Sequence, residues 1–229
     1  MRLVSAGLRS TGAIQETNMK PLFLTQITVP YEHAIKNLHI RDTYDWHQHI
    51  WKAFPHRPNQ TRDFLSRIDL KDEGYRILLL SQTEPNKPDW CPTACFHTKT
   101  IPDTYFDRQT YRFSLIANPT KKIQVKLPDG SFKKNGMRQY LCNQQDLAAW
   151  LERKAQVGGF VIIPNTLRTI SKGQESFFKQ GHRGLHAVFE FQGELSVIDP
   201  KQFRHTIENG IGTAKAFGFG LLVVAPTKQ

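Results

Sequence analysis

The order of strand and helix signals in the second half of the chain is the feature that most restricts its fold. Apolar, strand-like segments lie at residues 111–117, 161–163, 185–191, 195–198 and 221–225. Asn143 caps a helix after the first of them, and Asp199 caps another helix before the last. The two segments on either side of Gln192-Gly193 predict a hairpin there. This order is the split βαβ, or ferredoxin-like, pattern.

The first half of the chain carries a shorter version of the same pattern. Strands are predicted at residues 22–29, 75–80 and 94–101, and a helix is predicted to begin at Asp42 or Thr43 and to end at Pro55. We therefore expect an α+β fold of two tandem ferredoxin-like domains (RRM-like, of the RAMP type), over residues 19–104 and 105–229. A strand-like start appears only after Met19, so we expect residues 1–18 to be a dispensable extension.

Positive charge predicts a polyanionic partner. The chain has 31 Lys and Arg against 20 Asp and Glu, a formal charge of +11, and nucleic acid is the commonest polyanion. Pro128-Asp129-Gly130 is a strong turn signal between basic, alternating segments, which predicts a basic hairpin. Its cations are Lys121, Lys122, Lys126, Lys133, Lys134 and Arg138. Such a hairpin either contacts phosphates or is a merely solvated surface, and the concentration of charge favours the first.

Cysteine usage and hydropathy restrict the compartment and the cofactors. Three cysteines form no regular framework, which argues against disulfides and suits a reducing cytosol. Cys91, Cys95 and His97 lack both a fourth ligand and the usual spacing of a zinc site. No apolar run has the length of a membrane span, and the first 18 residues do not resemble a signal peptide. We therefore expect a cytoplasmic protein with no membrane partner, no metal and no cofactor.

The helix predicted in the first half carries the main candidate for catalysis. Spacings of three, four and three residues place four side chains on one face: Tyr44, His47, Trp51 and Phe54. His47 suits proton transfer because the ordinary pKa of histidine, about 6.5, is close to working pH. A histidine on an aromatic stripe is also a common packing residue. His49 and His56 stay open as alternatives if the helix register differs.

A glycine-rich segment, residues 210–220, surrounds Lys215. Glycines let a backbone approach a phosphate closely, and the lysine adds charge. The segment lacks the Gly-x-x-x-x-Gly-Lys-Ser/Thr pattern of a nucleotide-binding P-loop, and it follows a helix instead of opening one. It is either a phosphate-binding loop or a flexible connector.

Several separate blocks of the sequence resemble one family. The blocks are YDWHQHIWKAFP at residues 44–55, RP at 57–58, RDFL at 62–65, RFSLIANPTK at 112–121, AWLERK at 149–154 and GIGTAKAFGFGLL at 210–222. In this order they resemble the CasE family, the CRISPR RNA endoribonucleases of type I-E Cascade. The resemblance covers residues 19–226 approximately, and no single motif carries it alone.

The resemblance implies two ferredoxin-like domains that recognise the stem-loop of a CRISPR repeat and cut it once at the 3′ base of the stem. It implies that the mature guide RNA stays bound and that other Cascade subunits, especially the backbone subunit, are partners. The family's catalytic histidine corresponds to His47, and its nearby tyrosine to Tyr44. Contacts with RNA are expected from the cations of the basic hairpin and from Lys52, Arg168 and Lys215. Two alternatives stay open, a non-catalytic subunit that binds an RNA hairpin and an unrelated RNA-binding module.

Overall fold

The structure is a computed structural model that describes residues 20–55, 62–134, 136–179 and 182–227, apart from the side chains of residues 178, 179, 182 and 183. The predicted extension at residues 1–18 and the alternative catalyst His56 therefore lie outside the described residues. Within them, no helix is long and apolar enough to cross a membrane.

The first half folds around a four-stranded antiparallel sheet. Its strands stand in the order β2-β3-β1-β4, so that β1 pairs with both β3 and β4. A short 3-10 turn, Thr93–Cys95, stands where a second long helix would complete the ferredoxin-like pattern. The elements are β1 (Leu22–Pro30), α1 (Tyr31–Lys36), α2 (Thr43–Trp51), β2 (Phe64–Lys71), β3 (Gly74–Ser81) and β4 (Phe96–Ile101).

The second half repeats this order with two full helices. Its sheet runs β11-β5-β10-β8, and β9 pairs with the rest of β10 beyond β8. The elements are β5 (Thr110–Ala117), β6 (Thr120–Ile123), β7 (Met137–Tyr140), α3 (Gln144–Val157), β8 (Phe160–Ile162), β9 (Arg168–Lys179), β10 (His182–Val197), α4 (Pro200–Asn209) and β11 (Leu222–Pro226). The strand orders confirm an α+β fold of two ferredoxin-like units. We propose a boundary between residues 104 and 105, inside the 3-10 turn Asp103–Phe106.

Two local predictions are wrong. Gln192-Gly193 is not a turn, since β10 runs unbroken through it and pairs Gly193 with Phe113 of β5. A Cβ atom on Gly193 would lie 3.1 Å from the carbonyl oxygen of Thr166, so the glycine serves a close backbone approach. The helix predicted to reach Pro55 ends at Trp51, because the next amides bond three residues back, as Phe54 does to Trp51.

The first sheet is buried on both faces. Alternating residues of β1 and β3, such as Ile27 and Ile77, pack against Trp46 and Ile50 of α2 and its surroundings. The residues between them point the other way and join the core of the second unit. These are Leu22, Leu78 and Leu80, which pack in one cluster with Leu115 and Phe203. The two units therefore share one apolar core, which fixes α2 relative to the second sheet.

A buried ion cluster crosses the contact between the two sheets. Arg67 of β2 donates to Asp69 Oδ1 at 2.7 Å, to Ser114 Oγ at 2.7 Å and to Glu190 Oε1 at 3.1 Å. Arg76 completes the cluster by donating to Asp69 Oδ2 at 2.5 Å. The side chains of Arg67, Asp69 and Glu190 are all buried. Their mutual ion pairs and hydrogen bonds must therefore replace nearly all of the hydration that they lose. The cluster thereby fixes the registry of β2 against β5 and β10.

Acid should weaken this cluster. Burial disfavours the charged form of both carboxylates, but hydrogen bonds and charges outweigh it. Arg76 and Arg67 lower the pKa of Asp69. The pKa of Glu190 is lowered by Gln192, Ser114 and Arg67. A carboxylate whose pKa is lowered by folding stabilises the folded protein at pH values above its unfolded pKa, about 4. That stabilisation is lost as the pH falls through the folded pKa. We expect the contribution of these two carboxylates to the free energy of unfolding to stay constant from pH 7 to about pH 5 and to fall below about pH 4.

The measurement is urea unfolding at a series of pH values, with Asp69→Asn as the comparison. That variant should be less stable at pH 7 and should lose less stability on acidification. An acid dependence that Asp69→Asn leaves unchanged would remove Asp69 from this account.

Candidate active site and nucleic-acid interface

The first turn of α2 fixes the position of the candidate catalytic residues. Asp42 is the N-cap, and its side chain accepts hydrogen bonds from the backbone amides of Tyr44 and Asp45. Because Trp46 and Ile50 are buried on one side of the helix, His47 lies on a half-buried face. That side of the molecule contains β9 and the 3-10 turn Lys215–Phe217, both of which contact α2.

His47 is held by two aromatic neighbours on its own helix. The indole Nε1–H of Trp51 donates to His47 Nε2 at 3.0 Å, and the two rings meet edge to face. The ring of Tyr44 lies 6.4 Å from that of His47, centroid to centroid. An indole nitrogen can only donate, so Nε2 is unprotonated and the neutral imidazole carries its proton on Nδ1. The predicted pairing of Tyr44 with His47 on one face is therefore present.

Tyr44 lines a cavity of 390 Å³ between α2 and β9. The wall on the helix side is Arg41, Asp42 and Asp45, and Ser176 of β9 stands opposite. Arg41 donates to both carboxylate oxygens of Asp45 at 3.0 Å, and this bonding lowers the pKa of Asp45. The tyrosine thus stands at an open, polar edge of the helix, where its hydroxyl can meet a ligand.

The other described histidine on this helix has a packing role. His49 Nε2 lies 3.1 Å from the carbonyl oxygen of Leu38, and its ring meets Trp90 edge to face. Burial lowers the pKa of His49, so it is predominantly neutral at pH 7. These contacts give His49 a packing role and leave His47 as the candidate for chemistry among the described residues of this helix.

The glycine-rich segment is an ordered loop. Gly210, Gly212, Gly218 and Gly220 all have positive φ. At Gly220 a Cβ atom would lie 2.6 Å from the carbonyl oxygen of Ile211, so any larger residue would clash with the backbone. Lys215 is anchored within it, because its Nζ donates to the carbonyl oxygen of Asn209 at 2.5 Å. The loop therefore holds the lysine in a fixed position, within a turn that contacts α2.

The predicted basic hairpin is present. Strands β6 and β7 pair with each other, a bridge joins Lys126 to Phe132 farther out, and the amide of Gly130 bonds back to Leu127. All six predicted hairpin cations are exposed: Lys121, Lys122, Lys126, Lys133, Lys134 and Arg138. Lys122 and Arg138 face each other across the two strands. Such a ribbon offers closely spaced cations to a polyanion.

The remaining predicted cations stand at separate places. Lys52 is exposed at the C-cap of α2, and Arg168 is exposed at the start of β9. Among the residues that the structure describes, no group of three His, Cys, Asp or Glu side chains is placed to hold a metal ion. Cys91 is buried and Cys95 half-buried, and burial raises the pKa of the Cys91 thiol to about 11.

The comparison with known proteins decides the family. The family model described as CRISPR associated protein matches residues 22–226. The chain belongs to this family. The CRISPR system Cascade subunit CasE of Escherichia coli K12 is 32% identical over 192 residues, which are 81% of this chain and 93% of that protein. The CRISPR-associated endoribonuclease Cse3 of Thermus thermophilus is 27% identical over 222 residues, 90% of this chain and 100% of that protein.

Solved structures agree with the family. The structure of Thermus thermophilus Cse3 bound to an RNA representing a pre-cleavage complex is similar to this chain with a TM-score of 0.70 and 25% identity, over 90% of this chain and 100% of that one. The crystal structure of Cas6e from Escherichia coli K-12 gives a TM-score of 0.66 at 28% identity, again over 90% and 100%. The resemblance drawn from the sequence blocks is thus confirmed.

One feature of this CRISPR-associated protein was missed by the sequence reasoning. The spacing of Trp51 from His47 places both on one face, but it does not say that the indole donates to the imidazole. A tryptophan four residues after a candidate catalytic histidine was the available signal.

Removing that donor should disturb catalysis more than folding. Trp51→Phe keeps an aromatic ring beside Phe64, whose ring lies 5.1 Å from that of Trp51, and removes the indole N–H together with the five-membered ring that carries it. Without it, either tautomer of His47 is allowed and the ring is less well oriented, so we expect the single-turnover cleavage rate to fall about tenfold. The pH profile of that rate should also shift. A variant with the wild-type rate and profile would show that Trp51 has only a packing role.

Proposed function

We propose that this chain is a cytoplasmic endoribonuclease that processes CRISPR repeat RNA and stays bound to the guide RNA as a Cascade subunit. The observation that carries the proposal is the arrangement at α2, where Tyr44 and His47 stand together opposite the glycine-rich loop with Lys215. The names of two relatives, a Cascade subunit and a CRISPR-associated endoribonuclease, support it.

The proposed reaction uses the 2′-hydroxyl of the substrate and needs no metal ion. That oxygen attacks the adjacent phosphorus in line, the bond to the 5′-oxygen breaks, and the products are a 2′,3′-cyclic phosphate and a 5′-hydroxyl. His47 transfers a proton at one of these oxygens, which typically accelerates such a step about 10²–10⁴-fold. Tyr44 contacts the same phosphate, and Lys52 or Lys215 offsets the charge that develops on it.

RNA binding is assigned to the exposed cations. The basic hairpin follows the phosphates of the repeat stem, and Arg168 extends this contact surface. The major groove of an A-form stem is too narrow for ordinary side chains, so recognition uses the shape of the stem and its base. Phosphate contacts set affinity and register. The other Cascade subunits, especially the backbone subunit, are the proposed protein partners.

The test uses the repeat of the CRISPR array beside the gene, synthesised as an RNA stem-loop and incubated with the protein in EDTA. We expect one cut at the 3′ base of the stem, and none when the nucleotide before that bond is 2′-deoxy. Cleavage that appears only after a divalent metal is added would overturn the mechanism. Tight binding without cleavage at any pH would select a non-catalytic subunit, and equal affinity for unstructured RNA would select a general RNA-binding module.

A further inference from the structure

Three cationic side chains from three separate segments meet beside the glycine-rich loop. Arg62 stands two residues before β2, and Leu65 of β2 packs against the loop at Gly210. Lys154 stands one helical turn after Trp150, whose ring touches the loop at Gly212. Lys215 is anchored inside the loop itself. The packing of β2 and α3 on one loop is what brings these charges together.

The cluster is costly for the protein alone. Arg62 is half-buried, its guanidinium lies 5.9 Å from the centroid of the Phe64 ring, and its Nη1 is buried with no hydrogen-bond partner. Burial lowers the pKa of Arg62. Burial and then the charges of Arg62 and Lys154 lower the pKa of Lys215. No carboxylate in the described part of the chain forms an ion pair with any of the three.

The cluster is close to the candidate active site. Arg62 stands over Phe64, whose ring lies 5.1 Å from that of Trp51, and Trp51 donates to His47. The rings of Phe64 and Trp51 therefore lie between Arg62 and the imidazole. An anion held there would lie on the same side of the molecule as His47, near the bond on which His47 is proposed to act.

We propose that Arg62, Lys154 and Lys215 form a seat for one phosphate of the RNA backbone near the scissile phosphate, which leaves Lys52 as the cation that offsets charge on the scissile phosphate itself. A phosphate supplies the missing acceptor for Arg62 Nη1 and the negative charge that the three cations lack. Holding the neighbouring phosphate fixes the scissile bond in line with the 2′-hydroxyl. This assignment rests on the proposed function for the identity of the ligand, and on the side-chain cluster for the site.

The first experiment measures binding without cleavage. A repeat stem-loop with a 2′-deoxy nucleotide at the cut site is titrated with wild type, Arg62→Gln, Lys154→Gln and the control Arg153→Gln. Arg153 is the exposed neighbour of Lys154, about 100° around α3. We expect each of the first two variants to raise Kd about tenfold and to reduce the slope of log Kd against log salt by about 1, with little change for the control. An equal rise in Kd for Arg153→Gln would show that any lost positive charge weakens binding, and it would overturn the phosphate seat.

The second experiment locates the phosphate. Single methylphosphonate linkages are placed along the same uncleavable RNA, one position at a time. We expect one linkage near the cut site to weaken binding by wild type about tenfold and to have no further effect on Arg62→Gln. If every linkage weakens RNA binding by wild type and by Arg62→Gln by the same factor, no phosphate contacts Arg62.

The third experiment separates the seat from the proposed function. Thermal unfolding is followed in inorganic phosphate and in chloride at equal ionic strength. We expect phosphate to raise the Tm of wild type by about 3 °C and to raise that of Arg62→Gln and Lys154→Gln much less. This shift is expected even if the protein cuts no repeat RNA. Repeat cleavage in EDTA together with equal shifts in all proteins would keep the proposed function and reject the seat.

Discussion

Replacing His47 by alanine is expected to lower the single-turnover rate of repeat cleavage about 10³-fold, the middle of the range for a proton-transfer group. The loss should be in the rate and not in affinity, because His47 is half-buried and the cations proposed to bind RNA are other residues, such as those of the basic hairpin. The measurement is cleavage of the repeat stem-loop with the protein in excess, in EDTA, alongside a separate Kd for the 2′-deoxy RNA.

The matched control for this variant is Gln48→Ala. Gln48 is the exposed neighbour of His47 on α2, so its removal shortens a side chain on the same turn and removes no proposed catalytic or RNA-binding group. It should cut at the wild-type rate. If His47→Ala also cuts at that rate, another residue transfers the proton, and His56 becomes the next residue to replace.

Replacing Arg67 by alanine is expected to cost about 3 kcal/mol of unfolding free energy, the loss typical when one partner of a buried ion pair is removed. The side chain uses all three guanidinium nitrogens, on Asp69, Ser114 and Glu190. Without it, Asp69 keeps Arg76, but Glu190 stays buried with only polar neighbours and Lys172 at 3.8 Å. The charge left behind is the main part of the loss.

Urea unfolding at pH 7 measures this effect, with Arg112→Ala as the control. Arg112 is an exposed arginine on β5, next but one to Ser114 in the same strand, so the control deletes an arginine without opening the ion cluster. We expect a change below about 0.5 kcal/mol there. Equal stability of Arg67→Ala and Arg112→Ala would mean that the cluster contributes no net stability.

The sequence was sufficient where the signal is local. Asp42, one of the two predicted caps, is the N-cap of α2, because an N-cap needs only its own carboxylate and the next amides. The turn at Pro128-Asp129-Gly130 likewise forms within a few residues, with Asp129 accepting from the amide of Ser131. The helices α2, α3 and α4 followed from such signals, and so did the placing of His47 and Tyr44 on one face.

The sequence was insufficient where partners are distant. Strand β2 was missed because Arg67 and Asp69 look like surface charges, and their burial depends on Glu190, 123 residues beyond Arg67. Arg62 was not recognised as a candidate phosphate ligand for the same reason, since only the fold brings the charges of Arg62 and Lys154 close to Lys215. Gly193 was predicted to lie in a turn, because the close approach of Thr166 to this glycine cannot be inferred from neighbouring residues.

The two-sided burial of the first sheet has a consequence for synthesis of the chain. The first half leaves the ribosome with Leu22, Leu78 and Leu80 ready to face a core whose other members, such as Phe203, have not yet been made. Until they emerge, that face is an exposed apolar surface of the kind that chaperones bind and that leads to aggregation. Folding of the nascent first half therefore depends on completion of the second half. The two ferredoxin-like units are expected to fold as one cooperative unit.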